Sequence, residues 1–239
     1  MRAMQWSAAT RLWRPILVLV AVWLAASIAF ALAPTYVAIR AFAVGFLTAA
    51  FLACIAWLLF VSSGSYSWSL GRLGEEATAE AVCGPSRRRK GWRLVNGVPF
   101  DGLGDVDHVL IGPGGVYAVE SKYSTSPCQL SDGWVDGIYG REPIAQARRG
   151  AEKVQKMLRY GPQRFDVTVH PVVVMWGRGR VQLERGWELV GDVLLCDGPK
   201  SDLWLKELDR DSLDQDSAQS IEGVLLAYLD QHKRRVLTA

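Results

Sequence analysis

The residues best suited to hydrolytic chemistry stand together in one short stretch, Gly104 to Lys122, which reads GDVDHVLIGPGGVYAVESK. Two apolar runs, Val106–Ile111 and Val116–Ser121, flank Gly112-Pro113-Gly114-Gly115. A Gly/Pro cluster between strand-like runs is a hairpin signal. With residues 112–115 as the loop, Ile111 lies opposite Val116, paired numbers sum to 227, and Asp107 falls opposite Glu120. Opposed side chains share a face and sit about 5 Å apart at Cβ. Lys122, two residues beyond Glu120, projects from the same face. Hard oxygen donors at that separation suit Mg²⁺ or Mn²⁺. A neighbouring ammonium can hold a water and stabilise charge on a phosphoryl oxygen. The same spacing also allows a plain cross-strand ion cluster at a sheet edge. His108 alternates to the other face and reads as a packed strand histidine. Gly112–Gly115 is turn chemistry, because no GK[ST] follows to make a phosphate loop.

The elements around this hairpin follow from periodicity. Leu70–Val82 reads as a helix stopped by Gly84-Pro85. Arg87–Lys90 is a basic loop, and Trp92–Val95 is a strand. Pro143–Tyr160 is a helix with proline in its first turn. Its apolar stripe is Ile144, Ala147, Ala151, Val154 and Leu158, opposite a polar stripe of Gln146, Arg149, Lys153 and Lys156. That polar stripe is either a solvated face or a rim that tracks phosphates. Val167–Trp176 and Trp187–Cys196 are strand-like, and Ile221, Val224, Leu225, Tyr228 and Leu229 mark a C-terminal helix. Strands and helices in this order, with a hairpin among them, predict an α/β fold with a mixed sheet flanked by helices.

Charge divides the chain. Of 27 basic and 24 acidic residues, residues 1–71 hold four arginines (Arg2, Arg11, Arg14, Arg40) and no acid. Residues 72–239 therefore carry 23 basic and 24 acidic groups, a net of −1, which excludes a polybasic nucleic-acid binder. The 50% apolar content excludes intrinsic disorder. Cys54, Cys83, Cys128 and Cys196 make no CxxC or zinc spacing with the three histidines, so a reducing compartment is expected.

The N-terminal third has the composition of a membrane anchor. No charge occurs from Pro15 to Ile39 or from Ala41 to Gly71. A span needs about 20 apolar residues, so two are expected, about 16–33 and 41–61, turning near Pro34-Thr35-Tyr36. Trp13, Tyr36, Tyr66 and Trp68 fall near the interfaces such rings prefer. Arg40 alone marks the turn, while Arg2, Arg11, Arg14, Arg72 and Arg87–Lys90 flank the outer ends. The positive-inside rule then puts both termini and the soluble domain in the cytoplasm, on a multi-pass protein of a bacterial inner membrane. The expected division is a 1–70 anchor followed by a 71–239 domain.

Four blocks in order resemble the nuclease-related domain (NERD) family of the PD-(D/E)xK, restriction-endonuclease-like superfamily: Gly71-x-x-Gly74-Glu75; Val106-Asp107-His108 through Gly115-Val116-Tyr117; Glu120-x-Lys122; and Trp134 with Pro143-x-x-Gln146. Glu142 stands where the family usually has Asn, and Ser121 stands where an apolar residue is common. The resemblance implies a restriction-endonuclease-like sheet and Mg²⁺- or Mn²⁺-dependent phosphodiester hydrolysis of DNA or RNA. It assigns Asp107 and Glu120 as metal ligands, Lys122 as the residue that orients water or stabilises charge, Glu75 as an acid completing the metal shell, and Gln146 as a positioning group at the cleft rim. Arg149, Lys153 and Lys156 would contact substrate phosphates. The other function class is a non-catalytic nucleic-acid-binding or signalling module held at the membrane.

Overall fold

The computed structural model describes residues 17–29, 32, 36–62, 65–84, 90–100, 104–137, 142–208 and 213–238. Arg2, Arg11, Trp13, Arg14, Pro34, Thr35 and Arg87–Arg89 lie outside them, as do residues 16, 30, 31 and 33 of the first expected span. The chain divides into two compact units, Met1–Ser69 and Leu70–Ala239.

The first unit contains α1 (Leu17–Ala29) and α2 (Val37–Ser62). Among the described residues one helix segment, Val37–Phe60, is long and apolar enough to cross a membrane, with 24 residues and a mean hydropathy of 2.3. The described part of the first expected span is shorter. The two helices touch through Trp23 and Phe51, whose rings stack with centroids 5.3 Å apart.

The second unit is built on a six-stranded mixed sheet. Helix α3 (Ser65–Val82) leads into β1 (Arg93–Val98), β2 (Val106–Gly112) and β3 (Gly115–Tyr123). A small hairpin, β4 (Gln129–Ser131) and β5 (Trp134–Asp136), precedes α4 (Pro143–Tyr160). Then come β6 (Val169–Trp176), β7 (Trp187–Val190), β8 (Val193–Asp197), the short helix α5 (Ser201–Trp204) and α6 (Gln215–Thr238). The order across the sheet is β1-β2-β3-β6-β8-β7. β1, β2 and β3 form an antiparallel meander, β3, β6 and β8 run parallel, and β7 is an antiparallel edge. The parallel step from β3 to β6 is possible because α4 carries the chain back along the sheet.

The sheet is buried on both faces, which explains the near-continuous apolar runs of β3, β6 and β8. One face, with Val109, Ile111, Val116, Ala118 and Val169, packs against Ala151, Val154 and Leu158 of α4 and Ala218, Ile221 and Leu225 of α6. The other, with Leu110, Tyr117, Val119, Val172 and Val174, packs against Val82, Cys83, Trp204 and Leu208.

Several expected boundaries move. The stretch Trp187–Cys196 is two strands rather than one, because Gly191, at φ 65°, turns the chain and Val190 pairs with Val193. Gly191-Asp192 between two strand runs is the two-residue turn signal for it. Gly112 pairs with Gly115, so the hairpin loop is the two residues Pro113-Gly114 rather than four, and the register is unchanged. The helix expected over Leu70–Val82 runs from Ser65 to Val82.

Glu142 fixes the start of α4. It is the N-cap of α4, and its carboxylate accepts from the backbone N–H groups of Ile144 (3.0 Å) and Ala145 (2.6 Å). It also accepts from Val135 on β5 at 3.4 Å, tying the small hairpin to the helix. A carboxylate is favoured at a helix N-terminus. Glu142→Ala is expected to lower stability by about 1–2 kcal/mol, and Glu142→Asn by less, in urea unfolding of the detergent-solubilised chain followed by tryptophan fluorescence. Equal stability of Glu142→Ala and wild type would contradict this role.

Candidate active site at the open end of the hairpin

The β2–β3 register places the site. Paired residues run from Gly112↔Gly115 through Ile111↔Val116 to His108↔Val119, and the ladder ends there, one step short of Asp107 and Glu120. Both carboxylates stand at the end of the hairpin away from its turn, close enough for Glu120 to act on Asp107 electrostatically. Lys122 follows Glu120 on the same side, and its Nζ donates to Glu120 Oε1 at 2.5 Å. Glu120 is 4% exposed, while Asp107 is half-buried and accepts a 2.7 Å hydrogen bond on Oδ2 from the Ser121 backbone N–H.

Two helices close on this point from opposite sides of the sheet, each through a glycine. Gly74 of α3 lies against Tyr123, where an added Cβ would stand 3.3 Å from the tyrosine Cβ. Gly150 of α4 lies against Val106, where an added Cβ would meet a methyl at 3.2 Å. In the first approach Glu75 follows Gly74, is exposed, and lies near enough for Lys122 to act on its carboxyl. The second brings the polar stripe of α4 over Glu120. A cleft there is lined by Glu120, Gln146, Arg149 and Lys153, together with Asp105. Lys156 is exposed and does not line it, so only part of the expected phosphate rim faces the cleft. Lys153 also stands 5.1 Å from the Phe100 ring centroid, a cation–π arrangement. Asp105 escaped the sequence reading. Its signal is the alternation Gly104-Asp105-Val106-Asp107, two acids on successive outward positions of a strand entry.

Burying two carboxylates side by side disfavours their charged forms. Burial raises the Asp107 carboxyl to about 7, with Glu120 adding to the rise and the Ser121 N–H and Lys122 opposing it. Burial likewise raises Glu120, against the pull of Lys122. Glu75 is raised too, mainly by partial desolvation. His108 is confirmed as a packed histidine. It is 3% exposed, its Nδ1 lies 2.8 Å from Asn96 Oδ1, and burial lowers its pKa to about 4.

Among the described residues, no group of three or more His, Cys, Asp or Glu side chains is gathered tightly enough to hold a metal ion. The donor set present is a carboxylate pair with further acids nearby. That fits Mg²⁺, which is commonly held by one or two carboxylates while waters and substrate oxygens fill its other positions. It does not fit a closed protein cage.

Ser121 is accommodated by polar partners. Its side chain points away from the site, and its Oγ donates at 2.8 Å to Thr78, which is fully buried on α3. The sequence reading missed Thr78 because one hydroxyl in a helix carries no signal by itself.

Residues 70–176 match the family model described as NERD, nuclease-related domain. The match takes in Glu75, Asp107, Glu120, Lys122 and Gln146, and it stops at the end of β6. No curated protein and no solved structure matches the chain.

The raised Asp107 has a consequence for stability. Its carboxyl titrates near 4 when unfolded and near 7 when folded, so the folded state holds the extra proton between those values. Its stabilising contribution is present below pH 4 and is lost as pH rises through 7. Asp107→Asn removes that loss. The variant is expected to gain on wild type from pH 4 to 7 and to level off about 2 kcal/mol more stable, allowing for solvent at a half-buried group. Urea unfolding without divalent ions, at pH 5 and 8, measures this. A pH-independent difference would contradict the shift.

Proposed function

We propose that this protein is a metal-dependent nuclease whose catalytic domain is carried on a membrane anchor. The observation that supports it most is the Asp107–Glu120 carboxylate pair with Lys122 ion-paired beside it, inside a segment that matches a nuclease-related domain. The reaction is addition of water across a phosphodiester P–O bond: hydroxyl goes to phosphorus, and the proton goes to the leaving sugar oxygen. Mg²⁺ or Mn²⁺ held by Asp107 and Glu120 would supply positive charge for the phosphoryl oxygens and acidify a water. Lys122, fixed by Glu120, orients the attacking water and stabilises charge that grows on the phosphoryl group. Glu75 adds an acidic group from the α3 side. Gln146 donates or accepts at the cleft rim, and Arg149 and Lys153 hold flanking phosphates of DNA or RNA. A soluble part with net charge −1 binds nucleic acid through this local rim rather than through a global field.

The anchor is proposed as a two-helix hairpin, spans about 16–33 and 41–61, with both termini and the catalytic domain on the cytoplasmic side of an inner membrane. The apolar helix α2 and the Trp23–Phe51 contact between α1 and α2 support it, together with the arginine asymmetry.

Cleavage of fluorescent DNA and RNA by the full chain in detergent, with Mg²⁺ or Mn²⁺, tests the catalytic reading. Asp107→Ala and Glu120→Ala are expected to lower cleavage at least about 10³-fold, and Lys122→Ala by about 10²–10³-fold while leaving metal binding in place, because the ammonium is no ligand. Absence of cleavage by wild type, with nucleic acid still bound, would favour the non-catalytic module instead.

A further inference from the structure

A fully occupied hydroxyl lies directly behind the site. Thr78 Oγ1 accepts hydrogen bonds from Ser121 Oγ and from Trp176 Nε1, each at 2.8 Å, and donates to Gly74 O at 2.8 Å. A threonine hydroxyl has one donor and two acceptor positions, so all three are used. Thr78 is fully buried and Ser121 is 6% exposed. The three partners come from three elements: Ser121 lies between Glu120 and Lys122 on β3, Trp176 ends β6 opposite Tyr123, and Gly74 is the residue of α3 that touches Tyr123. Glu75 follows Gly74. The hydroxyl therefore locks one turn of α3 onto β3 at the residue between Glu120 and Lys122. A buried hydroxyl that lost a partner would leave an unpaired polar group at a cost of about 1–3 kcal/mol, so helix and strand have one favoured spacing here.

We infer that Thr78 is a positioning residue: its hydroxyl fixes the height of α3 over β3 and so sets where Glu75 stands relative to Asp107 and Glu120. This rests on reading those acids as the catalytic centre. Ser121 brings a buried hydroxyl onto this strand, and Thr78 is the polar partner on the helix that satisfies it.

The test uses the full chain in detergent and compares Thr78→Val with Thr78→Ser, in wild-type and Glu75→Gln backgrounds. Mn²⁺ affinity is read by spin resonance of the free ion, and cleavage of labelled DNA gives kcat and KM. Thr78→Val is expected to weaken Mn²⁺ binding and lower kcat, each about tenfold, with KM within twofold. Thr78→Ser restores both. In the Glu75→Gln background Thr78→Val adds less than twofold, since the group it positions is already gone. Ser121→Ala, which removes one donor and keeps the helix side chain, shows the same pattern more weakly and serves where Thr78→Val does not fold. Loss of the Trp176 indole N–H shift in Thr78→Val, identified by comparison with Trp176→Phe, reports the broken contact. Unchanged Mn²⁺ affinity in Thr78→Val, additive effects with Glu75→Gln, or no rescue by Thr78→Ser would overturn the inference. Mn²⁺ binding that responds to Thr78 without cleavage by any form would support the positioning role and contradict the nuclease reading.

Discussion

Two carboxylates held side by side in a partly desolvated site repel each other and lose hydration, and the surroundings of Asp107 and Glu120 are arranged as compensation for that conflict. Lys122 reaches Glu120 at 2.5 Å, and the Ser121 backbone N–H reaches Asp107 at 2.7 Å. Neither suffices, because Asp107 is still pushed up to about 7 and Glu120 is also raised. A pair in this state retains a proton that a divalent cation can replace, and the cation offsets the repulsion more fully than the proton does. The tension at the end of an otherwise apolar hairpin is the physical basis for expecting a metal there.

The flanking helices serve that point. The sheet needs a helical layer on each face to bury its apolar strands, and any helix with the right stripe would do for the core. What these two do beyond that is approach closely where the acids emerge, through Gly74 on one side and Gly150 on the other. On the α4 side this makes a cleft wall bearing Gln146, Arg149 and Lys153, and on the α3 side it brings Glu75 within electrostatic reach of Lys122. Glu142 holds the second helix at its start by capping three backbone N–H groups from two elements.

Much of the hairpin was legible because strand pairing has a period of two and a turn fixes its register. With Gly112–Gly115 as the turn the register follows, and shortening the loop to two residues leaves the sum of paired numbers at 227 from Gly112↔Gly115 to His108↔Val119. The apolar stripe of α4 was equally readable, and Ile144, Ala147, Ala151, Val154 and Leu158 are all buried. Three-dimensional neighbours were not readable. Thr78, Ser121 and Trp176 are separated by up to 98 positions and meet only after the sheet forms. Asp197 is another case: a fully buried acid paired with Arg180 at 2.5 Å, invisible as such in a strand that reads as apolar. The turn between β7 and β8 was legible in Gly191-Asp192, although the apolar arms read as one continuous run. The stripe on α4 misled at one end, since Lys156 lies beyond the cleft although its spacing matches Arg149 and Lys153.

The most direct measurement of the central claim is the number of Mn²⁺ ions bound per chain, counted by spin resonance of the detergent-solubilised protein at pH 8. The account predicts saturable binding at the hairpin site in wild type, lost in Asp107→Asn and Glu120→Gln, and weakened in wild type as pH falls below 7, where the Asp107 proton competes. Wild type that binds no Mn²⁺, or that binds it equally well without either carboxylate, would contradict it.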